Sequence, residues 1–317
     1  MYKEYYHFSE DPFDLRPEPK FLYLARSHWE VFSVMMSGVK EKKGIIVITG
    51  EVGIGKTTLI YALLKDLSEG IKTAFIFNPK LDFKSMLETI LQELEVPLNE
   101  GKKDIRFLVI QFKEYLKQRS NRGEVVTVII DEAQSLNVEV LESLCRILEP
   151  DTPAAKALQI FLIGHPELGR MLNSKKLEVT NKKVGVYAQI KPLTHEEGRG
   201  YIHHRLKIAG RDISEVFTAG AVNQICKYAK GIPRVMNLIC DRSLFIGHEQ
   251  SRPIIDSQII NQAIADLDDH AYEKAEPHSL ANFRKSVHYV AIRVIIFLLS
   301  LGVFLFTVKK ILPLIMG

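Results

Sequence analysis

Gly50-Glu51-Val52-Gly53-Ile54-Gly55-Lys56-Thr57 is the stretch that decides the fold of this chain. It fits G-x-x-x-x-G-K-[ST], a loop that cradles nucleotide phosphates. Before it runs Ile45-Ile46-Val47-Ile48-Thr49, a short β-branched segment that reads as a buried strand. After it runs an amphipathic stretch, Thr57 to Leu67, that reads as a helix. Strand, loop and helix in that order are what the chemistry needs. The glycines let backbone N–H groups close round phosphate oxygens, and the helix N-terminus adds partial positive charge. Gly50 to Gly55 then line the cradle, and Lys56 reaches the β- and γ-phosphates. The Thr57 hydroxyl ligates Mg²⁺, and Thr58 joins the nucleotide-binding set.

A second stretch supplies acids. Val125-Val126-Thr127-Val128-Ile129-Ile130 is an apolar strand that ends in Asp131-Glu132. In open α/β sheets, ligands bind at the carboxyl ends of the strands, which is where these two carboxylates fall. Triphosphate hydrolysis needs one carboxylate for the Mg²⁺ water shell and another to activate the attacking water. Asp131 suits the first role and Glu132 the second. His165 follows another strand candidate, Gln159 to Gly164. It reads either as a contact to the γ-phosphate or lytic water, or as a plain loop histidine before Pro166.

Outward from these motifs the pattern alternates. Lys72 to Asn78 and Gly185 to Ile190 are further strands, with helical stretches at Ser27–Lys40 and Phe83–Gln118. Strands alternating with helices predict a parallel sheet covered on both faces. After Pro192 only helical patterns remain. Thr194-His195-Glu196-Glu197 is a capping box, and Phe217–Ala229, Arg234–Glu249 and Asp256–Leu267 are later helices. Gly231-Ile232-Pro233-Arg234 opens one of them, with proline suited to a first helical turn. Arg234 reads either as a surface arginine or as a group bending back to the γ-phosphate. The expected division is a lead-in at 1–43, a nucleotide-binding core at 44–192, a helical lid at 193–268 and a linker at 269–289.

Composition is that of a globular chain, 46% hydrophobic and 25% charged. The net charge of +4 is too small to argue for nucleic acid. Cys145, Cys226 and Cys240 are far apart, without metal spacing, and read as small buried hydrophobes in a reducing compartment. The C-terminal part departs from this. Val294 to Val308 carries no charge and is apolar on every side. Its 1.5 Å rise per residue spans roughly 22 Å; extended back to Val287 it becomes long enough if Arg293 snorkels, and the expected span is 290–308. Basic residues flank both ends, so charge is silent on orientation. A cytosolic ATP supply puts the globular part inside, giving a single-pass membrane protein.

Taken together the motifs resemble the AAA+ ATPases of the ExeA/GspA type. The likeness rests on Gly50–Thr57, Val128-Ile129-Ile130-Asp131-Glu132-Ala133-Gln134, Ile163-Gly164-His165-Pro166-Glu167-Leu168, and the run from Gly231 to Arg242. The lead-in joins it, with Asp11-Pro12-Phe13, Pro17-Glu18-Pro19 and Phe21-Leu22-Tyr23-Leu24. The resemblance implies a P-loop core with a central parallel five-stranded sheet, an all-α lid, Mg²⁺·ATP hydrolysis and homo-oligomers. It implies work in secretion, pilus biogenesis or exopolysaccharide export, beside envelope components at the membrane. By the same resemblance Arg234 matches the lid sensor arginine, and His165 stands where relatives usually carry Gln.

Two departures accompany the likeness. Where relatives carry arginines before the fifth strand, this chain has Leu177-Glu178-Val179-Thr180-Asn181-Lys182-Lys183. Lysine keeps the charge of an arginine finger and loses its bidentate fork. Relatives of the secretion type also continue into a peptidoglycan-binding region, whereas Gly317 comes soon after Lys310. The expected output of ATP turnover therefore passes to a partner. Two rival readings remain: a DNA-associated ATPase of transposition-helper type, and a nucleotide-switch scaffold with little turnover. Against the first stand the small net charge and the lack of a recognisable DNA-reading domain after the lid.

Overall fold

In a computed structural model, residues 2–66, 71–98, 104–148 and 156–269 are described. Five strands form one sheet: β1 Ile45–Thr49, β2 Ile71–Ile76, β3 Val125–Ile130, β4 Leu158–Gly164 and β5 Val184–Gln189. Their order is β2-β3-β4-β1-β5, and every neighbouring pair is parallel. The β-branched runs explain the choice. β3 and β4 are buried at every position, as strands covered on both faces must be.

Alternation along the strands feeds two cores. Ile45 and Val47 of β1, with Val126, Val128 and Ile130 of β3, face one cluster. Ile46 and Ile48, with Ile129, face the other. Helices of eight residues or more are numbered in chain order. The first face is covered by α3 (Phe83–Glu93), α4 (Ile105–Asn121) and α5 (Val138–Ile147), the second by α1 (Arg26–Lys40) and α2 (Lys56–Asp66). The doubly covered parallel sheet expected from the sequence is therefore present. The helical middle expected over about Phe83–Gln118 comprises two helices, α3 and α4.

The all-α part follows as α6 (His195–Ile208), α7 (Ala219–Ala229), α8 (Pro233–Glu249) and α9 (Ser257–Asp269). Its local signals work as anticipated. Thr194 and Glu197 form a reciprocal capping box, and Pro233 occupies the first turn of α8. The three cysteines are buried free thiols, in the cores of α5, α7 and α8.

The lead-in divides between the two parts. α1 packs on the sheet, but Tyr6, Phe8, Phe13 and Ala25 complete the hydrophobic cluster of the lid. Buried Arg205 of α6 holds this segment. Its guanidinium donates to the carbonyls of Pro12 and Asp14, the latter at 3.0 Å, and to the Tyr201 hydroxyl at 2.9 Å. It also lies over the Phe21 ring. The aromatic residues show no helical or strand period, so nothing in their spacing says where they dock.

The expected membrane span at 290–308, and the linker from residue 270 onward, lie outside the described residues. Among the described residues no helix is long and apolar enough to cross a membrane.

Candidate nucleotide-binding site

The site forms where β1 and β3 end side by side with β4 between them. β1 stops at Thr49, and the Gly50 N–H donates to the Gly164 carbonyl at 3.2 Å. The loop then turns through Gly53 and Gly55, whose φ angles of 75° and 104° favour glycine, and enters α2 at Lys56. Lys56 is buried, and its ammonium donates to the carbonyls of Gly50 at 2.9 Å and Glu51 at 3.0 Å. Burial pushes its pKa down, while the nearby carboxylates of Glu132 and Asp131 oppose that shift.

The Thr57 hydroxyl donates to Asp131 Oδ2 at 3.1 Å. Asp131 is anchored through its own N–H to the Ile76 carbonyl of β2, at 3.0 Å. Its Oδ1 accepts from the Glu132 N–H at 2.9 Å. Burial pushes the Asp131 carboxyl above the usual carboxylate range, and the Glu132 N–H pulls the other way. One hydroxyl and one carboxylate oxygen side by side are hard oxygen donors. Magnesium takes such a set, one or two protein ligands with the rest from phosphate and water. The residues present therefore fit the ion.

Glu132 has a left-handed backbone, φ 52° and ψ 36°, unusual for a residue with a Cβ. Strain of this kind costs on the order of 1–3 kcal/mol and concentrates at functional sites. Its carboxylate accepts from Gln134 Nε2 at 2.6 Å and lies 3.4 Å from His165 Nε2. Gln134 Oε1 in turn accepts from the His165 N–H at 3.0 Å. Gly164 makes room for this, since a Cβ there would lie 2.3 Å from that oxygen. The structure thus brings His165 to Glu132.

The lid rests on the loop. The Arg234 N–H donates to the Gly53 carbonyl at 3.1 Å, and the arginine stem covers Gly53. Gly231, at φ 79°, lets Leu193 approach, with the Leu193 N–H on its carbonyl at 2.9 Å. Val52 points outward at 57% exposure. Lys182 and Lys183, just before β5, are both engaged within the chain. Lys183 donates to the Cys145 carbonyl at 2.8 Å, near the end of α5, and Lys182 to Glu178 at 2.8 Å.

Sequence reasoning assigned no role to two members. Gln134 closes the run Val128–Gln134, and its place two residues after Glu132 was a clue. His28, in the first turn of α1, is 3% exposed and its Nε2 lies 2.9 Å from the Ile54 carbonyl. It is far from the loop in sequence and belongs to no pattern.

A parallel sheet in this order, with a glycine loop, a hydroxyl–carboxylate pair and a helical lid seated on the loop, defines a P-loop protein of the nucleotide-binding class. A family described as an AAA domain matches residues 39–172. General secretion pathway protein A of Aeromonas hydrophila is 34% identical over 244 residues, covering 77% of this chain and 44% of that protein. The ORC2 protein of Aeropyrum pernix, solved in ADPNP–ADP complexes, aligns with a TM-score of 0.64 at 18% identity, covering 86% of this chain and 74% of that one. CDC6P from Pyrobaculum aerophilum aligns at 0.65 with 15% identity, covering 82% and 71%. At such identities these two structures speak for the fold alone. The chain belongs to the AAA+ ATPases of the ExeA/GspA type. It spans less than half the length of the secretion protein it matches.

Proposed function

We propose that this protein binds and hydrolyses ATP with magnesium, and that it energises or regulates assembly of an envelope secretion, pilus or polysaccharide-export system from a membrane tether. The observation that carries the chemical part is the 3.1 Å bond between Thr57 Oγ1 and Asp131 Oδ2. It joins the phosphate loop to the acid-bearing strand across β4. The cellular part rests on the likeness to General secretion pathway protein A and the apolar stretch at 290–308.

Residue roles follow from chemistry. The loop N–H groups and the Lys56 ammonium bind the β- and γ-phosphates, Lys56 leaving the carbonyls of Gly50 and Glu51 to do so. Thr57 and Asp131 would hold a magnesium ion, which would supply positive charge against the phosphates. Glu132 accepts the proton of the attacking water. Gln134 and His165 hold the Glu132 carboxylate, so its orientation depends on the loop after β4. Arg234, carried by α8, reaches toward the γ-phosphate and ties lid position to nucleotide state. Lys182 and Lys183 offer no bidentate fork to a neighbouring copy, so turnover is expected to be slow.

The test is phosphate release by the full-length protein in detergent, with ATP and Mg²⁺, at several protein concentrations. Turnover that Lys56→Ala abolishes supports the reading. No heat on titrating ATP or GTP into folded protein refutes it.

A further inference from the structure

His28 sits behind the phosphate loop. It is 3% exposed, and its ring faces Gly55, where a Cβ would lie 3.6 Å from Nε2. A carbonyl oxygen only accepts, so the 2.9 Å contact with the Ile54 carbonyl requires the proton on Nε2. His28 Nδ1 has no partner among the described residues, as a neutral imidazole with that tautomer allows. Burial pushes the ring pKa down, which agrees with the neutral form.

The consequence is stereochemical. The described chain has no cis peptide bond. In a planar trans peptide the C=O and the following N–H point to opposite sides. With the Ile54 oxygen held toward the buried imidazole, the Gly55 N–H is turned away from it, toward the open side of the loop. Gly55, at φ 104°, has the freedom to sit elsewhere, so the orientation needs a restraint. The bond also polarises the peptide and strengthens its N–H as a donor. Helix α1 is itself fixed to the lid. The Arg26 N–H donates to Glu197 Oε1 at 3.1 Å, and Ser27 meets the Lys191 backbone at 3.2 Å.

We infer that His28 is a positioning residue for triphosphate binding: its Nε2–H pins the Ile54–Gly55 peptide so that the Gly55 N–H faces the phosphates. This rests on the nucleotide-binding reading above and adds a residue outside the loop to it. It predicts an effect on phosphates and none on the base or sugar.

The experiment displaces a fluorescent ADP analogue from the full-length protein with ATP or with AMP. His28→Phe keeps ring volume and removes the bond. His28→Gln keeps an N–H at the same reach, and His28→Asn is one methylene too short. Expected results are about tenfold weaker ATP binding for Phe and Asn. Gln should bind ATP within about threefold of the parent, and AMP should be unchanged in all three. The Gln and Asn pair decides the matter if Phe perturbs folding. Equal ATP affinity in Asn and parent, Gln as weak as Asn, or parallel losses for ATP and AMP would each overturn the assignment. A parent protein that binds no nucleotide defeats the parent reading instead, and is seen before any variant is made.

Discussion

The backbone N–H of Arg234 donates to the carbonyl of Gly53 at 3.1 Å, so the second residue of the lid helix α8 is hydrogen-bonded to the phosphate loop. Lid and loop share a contact with no side chain between them. A Cβ on Gly53 would lie 2.6 Å from Arg234 Cβ, and Gly53 has φ 75°. Gly53→Ala should therefore act twice. A left-handed alanine costs about 1–2 kcal/mol, and the lid must lift to relieve the clash. Expected are a lower unfolding midpoint and an ATP affinity reduced at least tenfold, read by differential scanning fluorimetry with and without nucleotide. An unchanged midpoint and affinity would show that lid and loop are not in contact in solution.

Glu132→Gln should bind ATP as the parent does and lose about 10²–10⁴-fold in turnover, the ordinary contribution of a general base. Rapid filtration with labelled ATP checks retention, and phosphate release checks turnover. Gln134→Leu removes the 2.6 Å bond to Glu132 and the 3.0 Å bond from the His165 N–H, and leaves the phosphate loop untouched. It should lower kcat and leave KM within about twofold. If KM rises while kcat stays, Gln134 acts in binding.

Asp131 gives a pH prediction with a definite sign. Burial raises its folded pKa above that of the unfolded chain. The native state then holds the extra proton, and stability falls as pH rises through the window between the two values. Asp131→Asn removes this dependence and can still accept from the Glu132 N–H. In nucleotide-free protein it should melt above the parent at neutral pH, the gap narrowing as pH falls from the raised value toward that of the unfolded chain. Its magnesium-dependent turnover should be lost. Identical melting curves at both pH values would contradict the assigned cause.

Arg205→Met should release the N-terminal segment. It strips the donors from the Pro12 and Asp14 carbonyls and from the Tyr201 hydroxyl, at a cost of about 2–4 kcal/mol. Limited proteolysis should cut first before Ala25, with the sheet domain persisting longer. Cleavage beginning elsewhere would place the weak point outside this clamp.

The sheet and the central site were legible because each is written locally. The β-branched runs Ile45–Thr49 and Val125–Ile130 name their own conformation, and the phosphate loop and Asp131-Glu132 fall at their ends. The helix boundaries of the lid follow the same logic, since Thr194, Glu197 and Pro233 cap within their own turns. What could not be read is what depends on distant contacts. His28 meets Ile54 across 26 residues, and Gln134 meets His165 across 31. The docking of Tyr6, Phe8 and Phe13 on the lid, and the cis attachment of Lys183 to Cys145, are likewise long-range. No periodicity encodes such pairings. They arise when two elements have already packed.

The aromatic N-terminal segment has a temporal consequence. Tyr2 hydrogen-bonds Asp241, 239 residues later, so its partner does not exist while most of the chain is being made. At a synthesis rate of about 5–20 residues per second, the segment waits roughly 12–48 s on the ribosome. During that interval Tyr6, Phe8 and Phe13 are exposed to proteases and chaperones while the sheet between them and their partners can already form. The contact is then a clasp, in which helices made later close over residues made earlier.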